Sequence, residues 1–373
     1  MKKKEYCSLG IMSGTSLDGL DFSLIKTDGK LNIKTLVNEY YEFNKNFKNS
    51  IKKLIKKTGK SESKSIRKSD EFRCINQKFT ELVLKLIKDF RLKNSSKMKN
   101  LDVIGVHGNT IIHQPKYGIS IQLGKPNFLS KSLNTTVVAD FRDNDIKMKG
   151  QGAPLVPIFH QSQFSERNKN IMVVNIGGIT NFTFLIGKTK LIASDIGPGN
   201  KLIDEFCLKI FKKNFDDKGS LAKNGKLSEE LLKKWKKKPF LNFPFPVSFD
   251  NAFFKLDEFL IKTNLNKFDV LRTLTYFTAF QLLNLKLRID LNIDKWIFSG
   301  GGVENNTLMS DIKELLSGDV VTTTLNYKMN PFFIESSAFA YIAVRTLKKL
   351  PSSFPSTTGC IKSSTSGSIY FPN

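Results

Sequence analysis

Gly10-Ile11-Met12-Ser13-Gly14-Thr15-Ser16-Leu17-Asp18-Gly19-Leu20-Asp21 decides how the chain is read. An apolar run, Tyr6 to Met12, breaks at four small or hydroxylated residues and resumes as Leu20 to Ile25. That pattern predicts two strands joined by a hydroxyl-rich hairpin. Gly14 and Gly19 let backbone approach a ligand closely, and Ser13, Thr15 and Ser16 offer hydroxyls beside main-chain N–H groups that can form an anion-binding concavity. Asp18 and Asp21 could hold a hydrated Mg2+, an ion that reaches protein through one or two carboxylates. No Lys follows the glycine and no helix follows the turn, so this is not the GxxxxGK[ST] phosphate loop. An ordinary hairpin turn is the alternative.

The remaining composition fits a large core. The chain has 373 residues, 40% of them hydrophobic and 31 of them Phe, enough for one large or two medium domains. No apolar run reaches membrane-spanning length and the first residues carry no signal-peptide pattern, so no membrane partner is expected. Cys7, Cys74, Cys207 and Cys360 are scattered without CxxC spacing, which suggests neither zinc nor a disulfide framework and fits a cytoplasmic location. A formal charge of +25 raises nucleic-acid binding. The lysines are spread over helix faces, however: in Lys226 to Lys238, Leu227, Leu231 and Trp235 recur every four residues with lysines between them. A solvated surface is the preferred reading, with no nucleic-acid partner.

Downstream, Leu31 to Tyr41 predicts a third strand, followed by two amphipathic helices through Phe47–Ile55 and Phe72–Leu86. Strands return at Val103–Val106, Thr110–Gln114 and Ser120–Leu123, and Pro126 opens a helix. From Thr135 the texture changes. Strands Ile171–Ile176 and Ile179–Leu185 flank Gly177-Gly178, a third runs Leu191–Ala193, and a helix covers Lys201–Phe211. Strand, glycine turn, strand, strand, helix is the plan of the first block again, which predicts two related halves facing each other across a cleft. Phe268–Leu287 reads as a long apolar helix, Lys295–Ser299 as a strand ending in Gly300-Gly301-Gly302, and Ile334–Leu347 as the last long helix. A glycine turn between strand and helix is a common place for a nucleotide. The tail after Pro351 reads as loop. The expected division is residues 1–134, joined by the 350–373 tail, against 135–349.

These pieces together resemble the anhydro-N-acetylmuramic acid kinases, within the actin, sugar-kinase and chaperone ATPase superfamily. The resemblance rests on the opening motif, His107-Gly108 with Thr110, Ala139-Asp-Phe-Arg142, and Gly150-Gln-Gly-Ala-Pro-Leu-Val-Pro157 with His160. It continues through Asn175-Ile-Gly-Gly-Ile179 with Asn181, Asp195 with Gly197-Pro-Gly-Asn200, Gly300–Gly302 with Asn305, Glu335 with Ala338-Phe-Ala340, and Thr358-Gly359. It implies an α/β fold of two similar actin-like (ribonuclease H-like) ATPase domains flanking a cleft, often in a homodimer. Members use ATP and Mg2+ to open the 1,6-anhydro ring of 1,6-anhydro-N-acetylmuramic acid with water. The product is N-acetylmuramic acid 6-phosphate, in peptidoglycan recycling.

Roles follow from that resemblance. Asp195 is the candidate base for the attacking water, its alternative a cap on the next helix; Asp140 is the competing base or a magnesium-side group. Ser13 to Asp21 (Ser13, Gly14, Thr15, Ser16, Leu17, Asp18, Gly19, Leu20 and Asp21) would meet the phosphates and, through Asp18 and water, Mg2+. Gly177 and Gly178 would clasp the phosphates too, and Gly300, Gly301, Gly302 and Asn305 form the nucleoside-side candidate, or else a plain strand-to-helix turn. His107, Asn109, Asp140, Arg142, Gln151, Gly152, Ala153 and Glu335 are the substrate-side candidates, Arg142 suiting a lactyl carboxylate or a phosphate. The chain departs from the family pattern at Asn109 (usually Gln), Ile196 (usually Thr), Asp143-Asn144 (usually arginine-rich), Ser248 to Ala252 and Phe332. Rival readings are a kinase of the same fold for another sugar or acid, and a nucleotide-dependent binding protein without turnover.

Overall fold

The computed structural model describes residues 5–14, 17–58, 66–249, 253–260 and 265–373. The chain forms two units, Met1–Gln163 with Glu335–Asn373, and Phe164–Ile334. Each is a sheet with helices, so the class is α/β.

The first unit opens with β1 (Tyr6–Met12), β2 (Gly19–Thr27) and β3 (Ile33–Glu42), an antiparallel meander. Next come α1 (Lys45–Thr58), α2 (Asp70–Lys93) and the short α3 (Ser95–Met98). Ser69 starts α2 by accepting the Phe72 N–H, with Asp70 and Glu71 in the first turn where the helix dipole favours them. Strand β4 (Leu101–Gly108) joins β1 in parallel, β5 (Thr110–Gln114) and β6 (Ile119–Gln122) make a separate hairpin, and α4 spans Pro126–Leu133. Strand β7 (Thr136–Ala139) then pairs in parallel with β4, followed by α5 (Asp143–Lys147) and α6 (Pro157–Phe164). The unit finishes with α11 (Ile334–Leu347), α12 (Pro355–Thr358) and β13 (Ser368–Tyr370). The sheet order is β13-β7-β4-β1-β2-β3.

The strand β1 shows how the two sides of this sheet are built. Leu9 and Ile11 join the core that contains Ile51, Leu54, Phe79 and Val83 of α1 and α2. The alternate residues Ser8 and Gly10 meet α11 instead, where the Ser8 hydroxyl donates to the Ala340 carbonyl at 2.8 Å. Alternation along one strand thus separates an aliphatic face from a face of small residues.

The second unit repeats the arrangement. It contains β8 (Asn170–Ile176), β9 (Ile179–Ile186), β10 (Lys190–Pro198), α7 (Lys201–Phe206), α8 (Glu229–Trp235), α9 (Lys267–Arg288), β11 (Lys295–Ser299), α10 (Asn306–Leu315) and β12 (Val321–Thr323). Its sheet order, β10-β9-β8-β11-β12, is an antiparallel meander followed by two parallel strands. The first unit has the same order in β3-β2-β1-β4-β7, so the duplicated plan read from the sequence is present in the pairing.

Four expectations change. The boundary expected at 134/135 falls at 163/164, because β7 completes the first sheet through β4, and α11, expected in the second half, belongs to the first unit. The tail is not all loop, since β13 pairs antiparallel with β7. The third strand of the second unit extends past Ala193 to Pro198, which puts Asp195 within the sheet. The lysine-rich helix is shorter than expected, starting after Ser228, so Leu227 lies outside it, 39% exposed.

Candidate active site

In the first unit the carboxyl ends of β1, β4 and β7 lie side by side, the edge of a parallel arrangement where ligands are held. Ser13, just after β1, is buried, and Asn109, just after β4, donates from Nδ2 to Ser13 Oγ at 3.1 Å and to the Gly14 carbonyl at 3.0 Å. Asn109 Oδ1 is buried and has no hydrogen-bond partner among the described residues, which leaves it for a donor on a ligand or water. The Leu17 N–H reaches the Gly14 carbonyl at 3.3 Å, with Leu17 at a left-handed φ of 60°. Thr15 and Ser16 lie outside the described residues.

Three other members of the motif serve the fold. Asp18 is half-exposed and ion-paired with Lys48, while its carbonyl accepts the Phe43 N–H at 2.8 Å. A Cβ on Gly19 would lie 2.2 Å from the Tyr41 carbonyl, so glycine is required there by β3 and not by a ligand. Leu20 is fully buried in the core.

Asp21 is the carboxylate with unusual chemistry. Burial, reinforced by the charge of Glu335, pushes its pKa up to about 7. Glu335, in the first turn of α11, is half-buried, and that burial raises its own carboxyl despite the opposing Arg142 charge. Two carboxyls that hold protons too tightly are suited to a divalent cation, which would displace those protons. This pair fits Mg2+ better than Asp18, whose charge Lys48 already offsets.

A stability measurement checks the Asp21 environment. Between about pH 4 and 7 the folded protein keeps a proton on Asp21 that the unfolded chain releases, so folding stability falls as pH rises through that window. Asp21→Asn removes this loss. Relative to the parent, the variant should gain roughly 2–4 kcal/mol on going from pH 4 to pH 8, measured by urea unfolding. Equal pH slopes for the two proteins would disprove the raised carboxyl.

Arg142, following β7, donates from Nε to His107 Nε2 at 3.1 Å and from a terminal nitrogen to the Gly152 carbonyl at 2.7 Å. His107 Nε2 is therefore an acceptor, and its Nδ1–H donates to the Gly108 carbonyl at 3.0 Å. Burial and the Arg142 charge hold His107 neutral, far below the usual histidine pKa. His113 and His160 are driven to about 3 chiefly by burial, so no histidine is a proton shuttle near neutrality. Among the described residues no group of three or more His, Cys, Asp or Glu is placed to hold a metal.

The Gly150–Pro154 loop hangs on a carboxylate that sequence reading passed over. Asp145 is fully buried and accepts the Gly152 N–H and the Thr358 hydroxyl, both at 2.6 Å. The Gln151 N–H adds a bond to the Thr358 carbonyl at 2.8 Å. Gly152 sits at φ 69°, and Ala153 follows it, half-buried, before Pro154. The Thr358-Gly359 motif thus closes this loop. Asp140 sits at a left-handed φ of 53°, and its carboxylate accepts the hydroxyl of Tyr370 from β13.

In the second unit Asp195 is almost fully buried in β10. Its Oδ2 accepts the Phe249 N–H at 2.8 Å and its own N–H donates to the Val247 carbonyl at 2.9 Å. The Ser194 hydroxyl secures the same segment by accepting the Val247 N–H at 2.9 Å. Helix α7 begins only after Asn200, so Asp195 is not its cap.

Three glycine turns meet around the end of β8. The Gly177 carbonyl accepts Asn200 N–H at 2.8 Å and the Gly178 carbonyl accepts Gly199 N–H at 2.9 Å. Gly300 stands at φ 82°, where a Cβ would lie 2.4 Å from Asn175 Oδ1, and a Cβ on Gly302 would strike Ile176. Gly301 is open, its nearest neighbours being the Phe332 ring at 3.8 Å and Asn200 at 3.9 Å. Asn305 caps α10 by accepting the Leu308 N–H at 3.0 Å. The sequence had singled out all three turns, the second as Gly197-Pro-Gly-Asn200; its hydrogen bonds join it to the Gly177-Gly178 turn. Of the segment Ser248 to Ala252, Asp250, Asn251 and Ala252 lie outside the described residues.

Comparison with known proteins extends over the same positions. A family model described as anhydro-N-acetylmuramic acid kinase matches residues 6–372. An anhydro-N-acetylmuramic acid kinase from Coxiella burnetii (strain Dugway 5J108-111) is 34% identical over 380 residues, covering 100% of this chain and 98% of its own. One from Rhodopseudomonas palustris (strain ATCC BAA-98 / CGA009) is 33% identical, covering 98% of this chain and 99% of its own. Among solved structures, component A of the Acidaminococcus fermentans (R)-2-hydroxyglutaryl-CoA dehydratase aligns with a TM-score of 0.47 at 11% identity, covering 92% of this chain and 100% of its own.

Proposed function

The chain belongs to the anhydro-N-acetylmuramic acid kinase family, and we propose a division of labour among its residues for the reaction of that family. The reaction takes 1,6-anhydro-N-acetylmuramic acid, water and ATP to N-acetylmuramic acid 6-phosphate and ADP, and its role is peptidoglycan recycling. No helix among the described residues is long and apolar enough to cross a membrane.

Asp195 is the base. It accepts the proton of the water whose oxygen bonds to C1; the C1–O6 bond breaks, O6 takes the γ-phosphoryl group, and ADP departs. A carboxylate almost out of solvent and fixed by a main-chain donor is oriented for that transfer, and this observation carries the assignment. Asp140 is less suited, because it is half-buried where Asp195 is almost out of solvent, and its hydrogen bond comes from the Tyr370 side chain and not from the main chain. Gly177 and Gly301, where open glycine backbone admits an anion closely, serve phosphate together with Gly178 of the same turn. Ser13 and Asn109 serve the same group or a sugar hydroxyl. Asp21 and Glu335 carry Mg2+, which when bound neutralises charge on the transferred phosphate. The His107–Arg142–Gly152 chain holds the substrate loop in place.

The test is ADP release with Mg2+ and ATP, with and without the anhydro sugar. Sugar-dependent release supports the assignment. ATP binding without sugar-dependent release would favour another substrate or a protein that only binds nucleotide. For the cation pair, Mg2+ should raise the melting temperature of the parent at pH 8 and leave Asp21→Asn unmoved.

A further inference from the structure

Beside the Asp140 turn the first unit contains a cavity of about 300 Å³, with Arg67, Phe72, Asn76, Lys125, Asp140 and Tyr370 in its lining. A smaller recess shares Gln122, Gly124, Pro126 and Asp140 with it and reaches His107. The cavity therefore continues from the substrate-side residues outward, and the function proposed above leaves it without a role. Its volume is at the low end for a small-molecule site.

Its chemistry is that of a built site. Asn76 Oδ1 accepts the Gly124 N–H at 2.6 Å, fixing one wall, and the Lys125 ammonium is oriented by Gln77 Oε1 at 2.6 Å. Tyr370 binds Asp140 and so ties up one of its oxygens. Asp143 lies near enough to Arg67 for the guanidinium to counter the rise that burial and Asp140 impose on its carboxyl. Arg67 and Lys125 are the two cations of the lining, and Gly124 leaves open space where a side chain would stand.

The substrate carries a carboxylate on its lactyl ether, and the natural candidate to bind it is already engaged. Arg142 gives two of its donors to His107 and Gly152. The arginine-rich stretch expected after it is replaced by Asp143-Asn144. We infer that the cavity takes the carboxylate-bearing substituent of the sugar, with Arg67 and Lys125 as its specificity-determining residues. This inference rests on the kinase reading, and a guanidinium can grip a carboxylate through two parallel bonds where an ammonium supplies a point charge.

The test compares two sugars, 1,6-anhydro-N-acetylmuramic acid and 1,6-anhydro-N-acetylglucosamine, which lacks the lactyl group, on the full chain and on Arg67→Ala, Arg67→Lys and Lys125→Met. Arg67→Ala and Lys125→Met should each raise KM for the lactyl sugar about tenfold or more. They should leave KM for the other sugar and for ATP within twofold, and Arg67→Lys should recover part of the loss. Equal changes for both sugars, or no change for either, would overturn the inference. Calorimetric binding of each sugar without turnover separates the two failures. A parent that binds the lactyl sugar but never turns it over refutes the kinase reading, while loss of that binding in Arg67→Ala alone would still support the cavity's role. Unchanged binding in the variant would refute it.

Discussion

Asp195→Asn should abolish sugar-dependent ADP release, lowering kcat by about 10³-fold, equivalent to about 4 kcal/mol of barrier, while the protein stays folded. The substitution is nearly isosteric. Its amide oxygen can still accept the Phe249 N–H now received by Asp195 Oδ2 at 2.8 Å, and the main-chain bond to Val247 is untouched. What disappears is the capacity to take a proton from water. Sugar and ATP dissociation constants should therefore stay within about threefold, since the lost interaction belongs to the transition state.

The competing carboxylate gives the contrast. Asp140→Asn keeps an oxygen for Tyr370 and should lower kcat less than about tenfold, because a half-buried carboxylate held by a side-chain hydroxyl is not the proton acceptor in this assignment. A larger loss at Asp140 than at Asp195 would exchange their roles. Steady-state ADP release with both variants, beside a melting curve for each, decides the matter.

Most strands, the hairpins between them and the glycine turns were legible because alternation and turn chemistry are local properties. Gly177-Gly178 sits between two apolar runs, and the hairpin follows from that alone. Tertiary facts were not legible. The pairing of β7 with β4 moved the domain boundary, and no local signal in Thr136–Ala139 states which sheet the strand joins. Asp145 lies between an arginine turn and a glycine loop with nothing local to mark it, yet it ties that loop to Thr358, more than two hundred residues away. Asp18 and Asp21 both offered a carboxylate, and Asp18 was the one expected at Mg2+. Their environments separate them: Lys48 neutralises one at the surface, and burial beside Glu335 alters the other.

Gly10 carries the second large effect, on stability. Gly10→Ala should destabilise the protein by about 2–3 kcal/mol or more, a fall in melting temperature of roughly 5–10 °C for a unit of this size. A Cβ at Gly10 would stand 1.9 Å from the Ser336 carbonyl oxygen, 2.6 Å from the Ala340 nitrogen and 2.9 Å from Ala340 Cβ. Two of these atoms are α11 backbone, so no rotamer change relieves the clash; the helix must move off the sheet. Gly105 stands opposite Gly10 in the β1–β4 register, and a Cβ there would meet the Phe339 carbonyl at 2.5 Å. The paired glycines form a trough in which the α11 backbone lies, with Ser8 and the Ser23–Ser336 contact at 2.6 Å fastening its sides. Gly177→Ala is the control. Its Cβ would find nothing nearer than 3.6 Å, so its melting temperature should stay within about 2 °C of the parent. If Gly10→Ala melts with the control, α11 does not lie this close to the sheet. If it melts early, the first glycine of the opening motif is there to seat a helix, and the motif combines a packing constraint at Gly10 with the ligand-side role proposed for Ser13.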